Sequence, residues 1–393
     1  MPKDDINYSF TENGIVYDFY DVFVPAENFR QPSLFTWGAN NQTQLGTNND
    51  IRRSTPVTTF AGGTNWKSVA CGFNHTLAIK TDGTLWGWGR NLDVQLGLNT
   101  GGATRSTPVT TFAGGNNWKS VAGGNNFTAA IKTDGTLWTW GVNSNGQLGI
   151  NNSDFKQTPV TTFAGQTNWK QVSCGENYAA AVKTDGTRWT WGKNDNGQLG
   201  TNDTTLRRTP VTTFAGGTDW KSVACGTYFT TAAIKTDGSL WVWGRNNFAQ
   251  LGTNDTNTRT TPVTTFAGGN TWKQVSSGEY NVAAIKTDGS LWTWGYGIYG
   301  TNGNNTNQNR STPVTTFTGG TNWKSVACGR THILAIKTDG TLWGWGRGDE
   351  GQLGDNTTTS RSTPVVTFTG GNNWKSVAGG GYHTAAIKYQ PDP

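Results

Sequence analysis

LWTWGVNSNGQLGINNSDFKQTPVTTF, residues 137–163, contains the pattern that decides the fold of this chain. The pattern begins at Trp-Gly, passes through Gln-Leu-Gly and ends at Thr-Pro-Val-Thr-Thr-Phe, and versions of it recur along the sequence. Its Trp-Gly tryptophan returns with spacings of 51, 52, 51, 52, 51 and 51 residues, at Trp37, Trp88, Trp140, Trp191, Trp243, Trp294 and Trp345. A fixed period of this size indicates a repeat protein in which each copy forms one supersecondary unit.

Each repeat contains four short strand candidates separated by turn residues. In one copy these are residues 66–70, 76–80 and 85–88, followed by the segment around Pro-Val-Thr-Thr-Phe. Lys-Thr-Asp-Gly lies between the second and third candidates, and Asp-Gly favours the two-residue turn of a β-hairpin. Four strands in about fifty residues are typical of a propeller blade. The sequence therefore predicts an all-β, seven-bladed β-propeller.

The two ends of the repeat region complement each other. The chain enters at residues 33–37, a strand without its hairpin partner, and leaves at residues 385–388, which supply that partner. We therefore expect the N-terminal strand to close the ring, because closure removes the open sheet edges that promote aggregation. This interpretation divides the chain into an N-terminal arm (1–32), a seven-bladed propeller (33–388) and a C-terminal tail (389–393).

The repeat resembles that of the regulator of chromosome condensation family. The matching motifs are Trp-Gly-x-Asn-x-x-Gly-Gln-Leu-Gly, Thr-Pro-Val, Val-Ala-Cys-Gly and His-Thr-x-Ala-Ile, over residues 33–388. The resemblance implies a seven-bladed propeller used as a binding platform. That family includes a nucleotide-exchange factor for a small GTPase and an inhibitor of β-lactamases. The exchange factor has a wedge-like insertion, whereas these repeats keep one length throughout.

Net charge and hydropathy narrow the classes of partner. The chain carries 31 basic and 25 acidic residues, and fourteen of its lysines belong to the repeat, two in each copy. Evenly spread lysines differ from the clustered basic stripe of a nucleic-acid site, so we expect a protein partner and no nucleic acid. Apolar runs stay shorter than the ~18 residues of a membrane span, and residues 1–10 lack the features of a secretory signal. We therefore expect a cytoplasmic or virion location without membrane insertion.

Cysteine and tryptophan occupy fixed positions in the repeat. Cys71, Cys174, Cys225 and Cys328 share one position where the other copies have Gly or Ser, which indicates a small-residue packing site with reduced, buried cysteines. The 20 tryptophans fall at three positions: before Gly, before Lys and in the Leu-Trp site, where Phe35 takes the seventh place. We expect these rings to pack between the blades. A ring of stacking platforms for sugars is the alternative.

One repeat departs from the others without predicting a cofactor site. Gly295, Gly297 and Gly300 match Gly-x-Gly-x-x-Gly, but a dinucleotide site needs a helix after the glycines and this sequence has no helical period. The same copy lacks Gln-Leu-Gly, and we expect a longer Asn-rich segment (302–309) in its place. That segment is either a contact site or the result of sequence drift.

Histidine supplies no catalytic or metal motif. His75, His332 and His383 share one repeat position, and no second type of ligand accompanies them, so we expect a hydrogen-bonded structural role. No paired carboxylates stand out beyond the aspartates of the turns, and no Ser-His-Asp arrangement stands out either. The chain is therefore expected to be non-enzymatic, with no cofactor and no metal.

Two sets of loop residues are candidates for partner binding. A basic residue lies three positions before each repeat proline, and because every copy has it we expect it to pair with an aspartate or a carbonyl within the blade. A charged ring for an acidic partner is the alternative for this set, which comprises Arg53, Arg105, Lys156, Arg207, Arg259, Arg310 and Arg361. Specific binding should instead use a position that varies, such as the second residue after the Trp-Gly tryptophan. Its candidate binding residues are Arg90, Lys193, Arg245, Tyr296 and Arg347.

The N-terminal arm, residues 1–32, combines acidic with aromatic side chains. This composition is too apolar for a free linker, so the arm either covers the propeller or binds another protein. Its candidate binding residues are Tyr17, Phe19, Tyr20 and Phe23.

The functional hypothesis that we prefer from the sequence is a non-enzymatic, protein-binding propeller that forms a structural component of a large assembly. A decoration, tail or attachment protein of a phage or virus particle, anchored by the arm, is the form we favour. One alternative is a guanine-nucleotide exchange factor or regulator of a small GTPase. The other alternative is a carbohydrate-binding lectin with a glycan partner.

Overall fold

The computed structural model describes residues 9–12, 15–18, 32–163 and 165–389. Strands β1 (Ser9–Glu12) and β2 (Ile15–Asp18) form an antiparallel hairpin. The other strands form seven four-stranded sheets, and every regular element within the described residues is a strand. The predicted all-β, seven-bladed propeller is confirmed.

The strands of the propeller follow one another in chain order. The N-terminal side contributes β3 (Pro32–Gly38) and β4 (Arg53–Thr58). Blade 2 contains β5 (Trp66–Cys71), β6 (His75–Lys80), β7 (Leu85–Gly89) and β8 (Arg105–Thr110). Blade 3 contains β9 (Trp118–Gly123), β10 (Phe127–Lys132), β11 (Leu137–Gly141) and β12 (Lys156–Thr161). Blade 4 contains β13 (Trp169–Cys174), β14 (Tyr178–Lys183), β15 (Arg188–Gly192) and β16 (Arg207–Thr212). Blade 5 contains β17 (Trp220–Cys225), β18 (Thr230–Lys235), β19 (Leu240–Gly244) and β20 (Arg259–Thr264). Blade 6 contains β21 (Trp272–Ser277), β22 (Asn281–Lys286), β23 (Leu291–Gly295) and β24 (Arg310–Thr315). Blade 7 contains β25 (Trp323–Cys328), β26 (His332–Lys337), β27 (Leu342–Gly346) and β28 (Arg361–Val366), and the propeller ends with β29 (Trp374–Gly379) and β30 (His383–Tyr389).

Blade 1 is composed of both ends of the propeller. Its strand order is β29-β30-β3-β4, so each end supplies two strands. Strands β3 and β30 pair antiparallel from Pro32 opposite Tyr389 to Gly38 opposite His383. The predicted closure of the ring by the N-terminal strand is confirmed, and the structure adds that β4 follows β3 into the same sheet.

The direction of the strands defines two ends of the propeller. The innermost strand of each blade packs against the innermost strands of both neighbouring blades. The connections from the first to the second strand and from the third to the fourth lie at one end, which we name the loop face. The Asp-Gly turns and the connections between blades lie at the other end, the turn face. Strand β3 begins at the turn face, because Gly38 at its end leads into a loop-face connection.

The Gln-Leu-Gly segment couples each blade to the next. The loop after β3 returns along the sheet, and the carbonyl of Gln44 accepts a hydrogen bond of 3.0 Å from Trp88 Nε1 of blade 2. Gly46 has a φ of +67°, and a Cβ at this residue would lie 2.7 Å from Trp88 Nε1, so only glycine fits against the ring. Trp37 donates in the same way to the carbonyl of Gln352, at 3.0 Å, across the ring junction. The Gln-Leu-Gly motif therefore marks the segment that forms a hydrogen bond to the next blade.

Two of the three tryptophan positions form the core between the blades, as predicted. The tryptophans before Gly and before Lys are at most 2% exposed, and they meet edge to face, as at Trp118 and Trp140. The third position lies at the edge of the core: Trp86 is half-buried, and Lys80 Nζ lies 4.2 Å from its ring centroid. A lysine therefore covers the ring that the sugar-binding alternative would leave open for stacking.

The repeated histidines and cysteines are structural. Each histidine is fully buried and lies within hydrogen-bonding distance of a threonine on the next blade, in the pairs His75–Thr128 (3.2 Å), His332–Thr384 (3.1 Å) and His383–Thr76 (2.9 Å). The predicted hydrogen-bonded role is confirmed. All four cysteines are free thiols, of which Cys71 is partly exposed and the others are buried.

The loop between β23 and β24 corrects one expectation. It is as long as the corresponding loop of blade 5, and Thr301-Asn302-Gly303 takes the place of Gln-Leu-Gly. Trp345 Nε1 donates to the carbonyl of Thr301 at 3.1 Å, and Asn302 is fully buried where other blades have leucine. The expected longer Asn-rich segment is therefore wrong. The interblade bond reaches a backbone carbonyl, which any residue supplies, so the loop keeps its shape without the motif.

Candidate functional site

Seven residues surround the central channel at the loop face. Each lies two positions after the Cys, Gly or Ser of its blade, and together they are Phe73, Asn125, Glu176, Thr227, Glu279, Arg330 and Gly381. Backbone hydrogen bonds join neighbours in this ring, including Asn125 N to Glu176 O (3.4 Å) and Gly381 N to Phe73 O (2.9 Å). All but Gly381, together with Tyr228, line a cavity of about 160 Å³. We name this ring the channel mouth.

Arg330 is the central charged group of the channel mouth. Its guanidinium donates to the Glu279 carboxylate, with 3.1 Å between Nη2 and Oε1, and to the Tyr382 hydroxyl. Glu279 is 6% exposed, so pairing with Arg330 compensates the burial of its charge. The guanidinium also lies 5.4 and 5.0 Å from the ring centroids of Phe73 and Tyr382. Arg330 is therefore held in one position at the mouth.

An aromatic patch lies beside the channel mouth on blades 5 and 6. Ring centroids are 4.5 Å apart for Tyr228 and Tyr280, and 5.0 Å apart for Phe248 and Tyr296. Phe248 also packs on Tyr280 at 4.9 Å. Arg245 stacks on this patch, with its Cζ 4.0 Å from the Tyr228 centroid. These side chains are partly buried, so each keeps a surface open to solvent.

A second arginine continues the surface on blade 7. The Cζ of Arg347 lies 5.1 Å from the ring centroid of Tyr299 and 4.9 Å from that of Tyr382. The same guanidinium forms a two-pronged ion pair with Asp349, at 2.8 and 2.6 Å. We name the combined surface the aromatic–basic crescent, comprising Phe73, Tyr228, Phe248, Tyr280, Tyr296, Tyr299, Tyr382, Arg245, Arg330 and Arg347.

The structure brings together three of the five loop residues that the sequence predicts for binding. Arg245, Tyr296 and Arg347 belong to the crescent. Lys193 borders it, with Nζ 4.9 Å from the Phe229 ring centroid and 3.4 Å from an Asp195 oxygen. Arg90 lies apart on blade 2, paired with Asp93 at 2.9 Å. All five lie on the loop face, and their role in binding stays a prediction.

The candidate residues of the arm have no described surroundings. Tyr17 lies on β2, and Phe19, Tyr20 and Phe23 lie outside the described residues. Their binding role also stays a prediction.

The basic residue three positions before each repeat proline pairs with an aspartate of its own blade in three blades, as the structural interpretation expects. Arg207 pairs with Asp203 and Arg259 with Asp255, both at 2.6 Å. Arg361 pairs with the side chain of Asp355 at 2.9 Å. In these blades the guanidinium forms an ion pair within its own loop, so its charge is not free to bind an acidic partner.

The sequence analysis missed seven residues of the crescent. Phe248 and Tyr299 lie in the same connection, between the third and fourth strands, as the predicted residues. The other five are Phe73, Tyr228, Tyr280, Arg330 and Tyr382. They lie in the connection between the first and second strands of their blades, at positions that vary as much as those chosen. The same criterion of variation within a repeat, applied to this second connection, would have found them. What it could not show is that the two connections meet on one surface.

A model of the RCC1-like domain matches residues 33–386. The chain belongs to the RCC1-like domain family. This RCC1-like propeller is 32% identical over 340 residues to the ultraviolet-B receptor UVR8 of Arabidopsis thaliana, covering 84% of this chain and 76% of that protein. It is 28% identical to human E3 ubiquitin-protein ligase HERC2 over 90% of this chain, which corresponds to 8% of HERC2.

Solved structures agree with the fold. Yeast RCC1 (Prp20) bound to Kap60 superimposes with a TM-score of 0.80 at 21% identity, covering 92% of this chain and 90% of that chain. Human WBSCR16 gives a TM-score of 0.76 at 21% identity, covering 91% of this chain and 99% of that chain. Among the residues that the structure describes, no helix is long and apolar enough to cross a membrane.

Proposed function

We propose that this RCC1-like propeller is a non-enzymatic protein-binding platform and that the aromatic–basic crescent holds the partner. The observation that carries the proposal is the packing of blade-specific residues such as Arg245, Tyr296 and Arg347 into one partly exposed surface. Tyrosine and arginine are enriched among the residues that dominate the binding energy of protein interfaces. Rings that already pack against one another also lose little conformational entropy on binding.

Charge pairing within the crescent indicates where an acidic partner residue would bind. Arg330 and Arg347 are each paired with a carboxylate of the propeller. The guanidinium of Arg245, in contrast, belongs to a partly exposed side chain and forms no ion pair with any described residue. A carboxylate of the partner would satisfy this donor, so we expect Arg245 to contact an acidic residue.

The test converts the crescent to the composition of blade 3. Tyr228→Asn, Tyr280→Asn and Tyr296→Val introduce the residue types that Asn126 and Val142 supply at the corresponding positions, so the fold should tolerate them. In quantitative affinity purification from cells of the source organism, recovery of the specific partner should fall at least tenfold, which corresponds to a loss of about 1.4 kcal/mol.

The matched control changes the same repeat positions in blade 3, Asn126→Ala with Val142→Ala. It should leave recovery of the partner unchanged. Equal recovery with both variants would show that the crescent is not the binding site.

Regulation of a small GTPase is the second candidate function. Prp20p of Saccharomyces cerevisiae, which shares this fold, is described with its binding properties to Gsp1p and histones. A nucleotide-exchange assay with small GTPases of the source organism tests this candidate, and exchange should be lost in the crescent variant but not in the blade 3 control.

The two remaining hypotheses stay predictions. A structural component of a phage or virus particle would be recovered with purified particles, and none of the relatives named above is described as such a component. A lectin would bind on a glycan array, but the position of Lys80 over Trp86 argues against sugar stacking on that ring.

A further inference from the structure

One phenylalanine in each blade is exposed at the turn face. It follows the outermost strand, after a buried threonine such as Thr59. The set is Phe60, Phe112, Phe163, Phe214, Phe266, Phe317 and Phe368, each 61–66% exposed. Seven large apolar side chains, one from each blade, therefore face solvent at the same end of the protein.

The same face carries an exposed lysine in each blade, displayed by a β-bulge. In blade 2, Trp66 pairs with Lys80 and Ser68 with Ile79, so Lys67 is the extra residue of the innermost strand. A bulge re-aims a side chain, and here it turns the lysine to solvent at the turn-face end of the channel. The seven exposed lysines are Lys67, Lys119, Lys170, Lys221, Lys273, Lys324 and Lys375.

The charge of the turn face is strongly positive. Its turns and blade connections contain fourteen lysines and seven aspartates. The aspartates of the turns, such as Asp82, accept hydrogen bonds within the turn. The loop face holds fourteen basic residues against eleven carboxylates. A second copy of the turn face would be repelled by this charge, so the fitting partner is acidic and carries aromatic side chains.

The N-terminal arm of this chain has that chemistry. Residues 1–31 contain six acidic residues, two basic residues and seven aromatic ones. The arm joins the propeller at Pro32, which lies at the turn face opposite Tyr389. The 13 residues between the hairpin of β1 and β2 and Pro32 can span up to about 45 Å, whereas a domain of this size has a radius of gyration of about 21 Å, so the turn face is within reach of the hairpin.

Tethering favours binding within one molecule. Covalent attachment gives the arm an effective concentration of roughly millimolar near its own turn face, which free copies do not reach. The hairpin of β1 and β2 also needs a supporting surface, because a two-stranded sheet alone is marginally stable in water.

We propose that the N-terminal arm binds the turn face of its own propeller, with its carboxylates against the exposed lysines and its aromatic rings against the exposed phenylalanines. This interaction leaves the loop face open, so it is independent of partner binding by the crescent.

The test is carbodiimide cross-linking of the full-length chain, which joins carboxylates directly to lysines. Mass spectrometry of an equal mixture of ¹⁴N and ¹⁵N protein then separates links within one molecule from links between molecules. We expect the arm carboxylates to link to turn-face lysines such as Lys67 and Lys170, within single molecules. Lys156 and Lys193 are the internal control, because they are the lysines of the loop face.

A variant tests the apolar part of the interaction without removing any reactive lysine. Phe112→Ser, Phe214→Ser and Phe317→Ser together should lower the yield of arm links several-fold. Phe155→Ser, at a loop-face residue that is 58% exposed, is the matched control and should not change it.

Three results would overturn the proposal. These are arm links to Lys156 or Lys193, links that join ¹⁴N to ¹⁵N chains, and the absence of arm links to the turn face. If arm links are absent and a single-stranded DNA of 20 nucleotides protects the turn-face lysines from acetylation, the turn face is a nucleic-acid-binding surface and not the binding site of the arm.

Discussion

Trp140 shows how single side chains join the blades. Its ring is fully buried between blades 2 and 3. Its Nε1 donates to the carbonyl of Gln95 at 2.9 Å, and the ring meets Trp118 edge to face at 6.2 Å. A Cβ on Gly97 would lie 2.8 Å from the same Nε1 atom. Removal of the ring would therefore leave a large cavity, bounded by backbone that has little room to collapse.

Trp140→Ala should lower the free energy of unfolding by about 3–5 kcal/mol, because a large buried side chain is lost and a cavity remains. Urea unfolding measures this change. Trp138→Ala, at the half-buried position, is the control and should cost less. A near-neutral Trp140→Ala that lost sugar binding would support the lectin alternative instead.

Arg188 breaks the repeat within the core. It is 2% exposed at a position where other blades have buried leucine, such as Leu137. Its guanidinium lies 3.9 Å from the Trp243 ring centroid, and its nitrogens have no hydrogen-bond partner among the described residues. Burial lowers the pKa of Arg188 to about 9.

Arg188→Leu should raise the free energy of unfolding by about 1–2 kcal/mol. The desolvation cost of an unpaired buried charge is several kcal/mol, and the cation–π contacts that are lost return only part of it. Arg208→Leu, at an exposed residue of the next strand, should change stability by less than about 0.5 kcal/mol. Destabilisation by Arg188→Leu in urea unfolding would contradict this assignment.

The buried histidines predict loss of stability in mild acid. Burial lowers the pKa of His75, His332 and His383 to about 3, against about 6.5 in an unfolded chain. Above pH 6.5 neither state binds these protons. As the pH falls from 6.5 towards 3, the unfolded state binds up to three more protons, so the free energy of unfolding decreases, by about 2 kcal/mol for each histidine at pH 5.

Replacement of all three histidines by phenylalanine tests this effect. Phe127 is fully buried at the same repeat position, so the fold accommodates the ring. Urea unfolding at pH 7.5 and pH 5 should show a much smaller loss in the variant than in the natural chain. An equal loss in both would assign the acid sensitivity to other groups.

Strand β3 joins the two ends of the propeller in one sheet. It is an interior strand of blade 1, between β30 and β4, and it is the connection through which the N-terminal side completes the ring. Trp37 on this strand also bonds blade 7 through the carbonyl of Gln352. Without β3, both β30 and β4 become strand edges.

Deletion of residues 33–38 should lower the melting temperature and promote self-association, because unpaired edges recruit other strands. Differential scanning calorimetry and size-exclusion chromatography measure the two effects. Deletion of residues 390–393, which follow the last described strand, is the control. Cooperative unfolding at an unchanged midpoint would contradict closure through β3.

The whole molecule is stabilised between blades. Each core cluster combines side chains of two neighbouring blades, as Ile79 and Leu85 of blade 2 do with Trp118 and Trp140 of blade 3. The ring is complete at seven blades with residues from β3 onward. Closure of the ring therefore does not require residues 1–31.

Deletion of residues 1–30 should shift the melting temperature by no more than a few degrees, because the interblade clusters stay intact. Calorimetry of the truncated chain beside the full-length chain measures this shift. The same deletion tests the assembly hypothesis, which expects incorporation into a particle or complex to be lost. Ready unfolding of the truncated chain would show that the arm is an integral part of the propeller.

The part of this protein that repeats could be predicted from the sequence. The number of strands, the number of blades and the closure of the ring follow from the constant spacing of the repeat along the chain. Six of the seven blades form from residues that are close in the chain. The sequence analysis failed where the contact is made by a backbone group and not by a side chain: the loop at Thr301 lacks Gln-Leu-Gly but keeps the interblade bond through its backbone carbonyl.

The tertiary structure alone decided which residues meet. Tyr228, Arg330 and Tyr382 come from three blades and lie far apart in the chain, and only the circular arrangement of the blades brings them to one surface. The turn face required the structure for a different reason. Its phenylalanines are identical in every repeat, so the sequence does not distinguish a core position from a surface one. Exposure depends on which end of the outermost strand reaches solvent, and the folded sheet determines that.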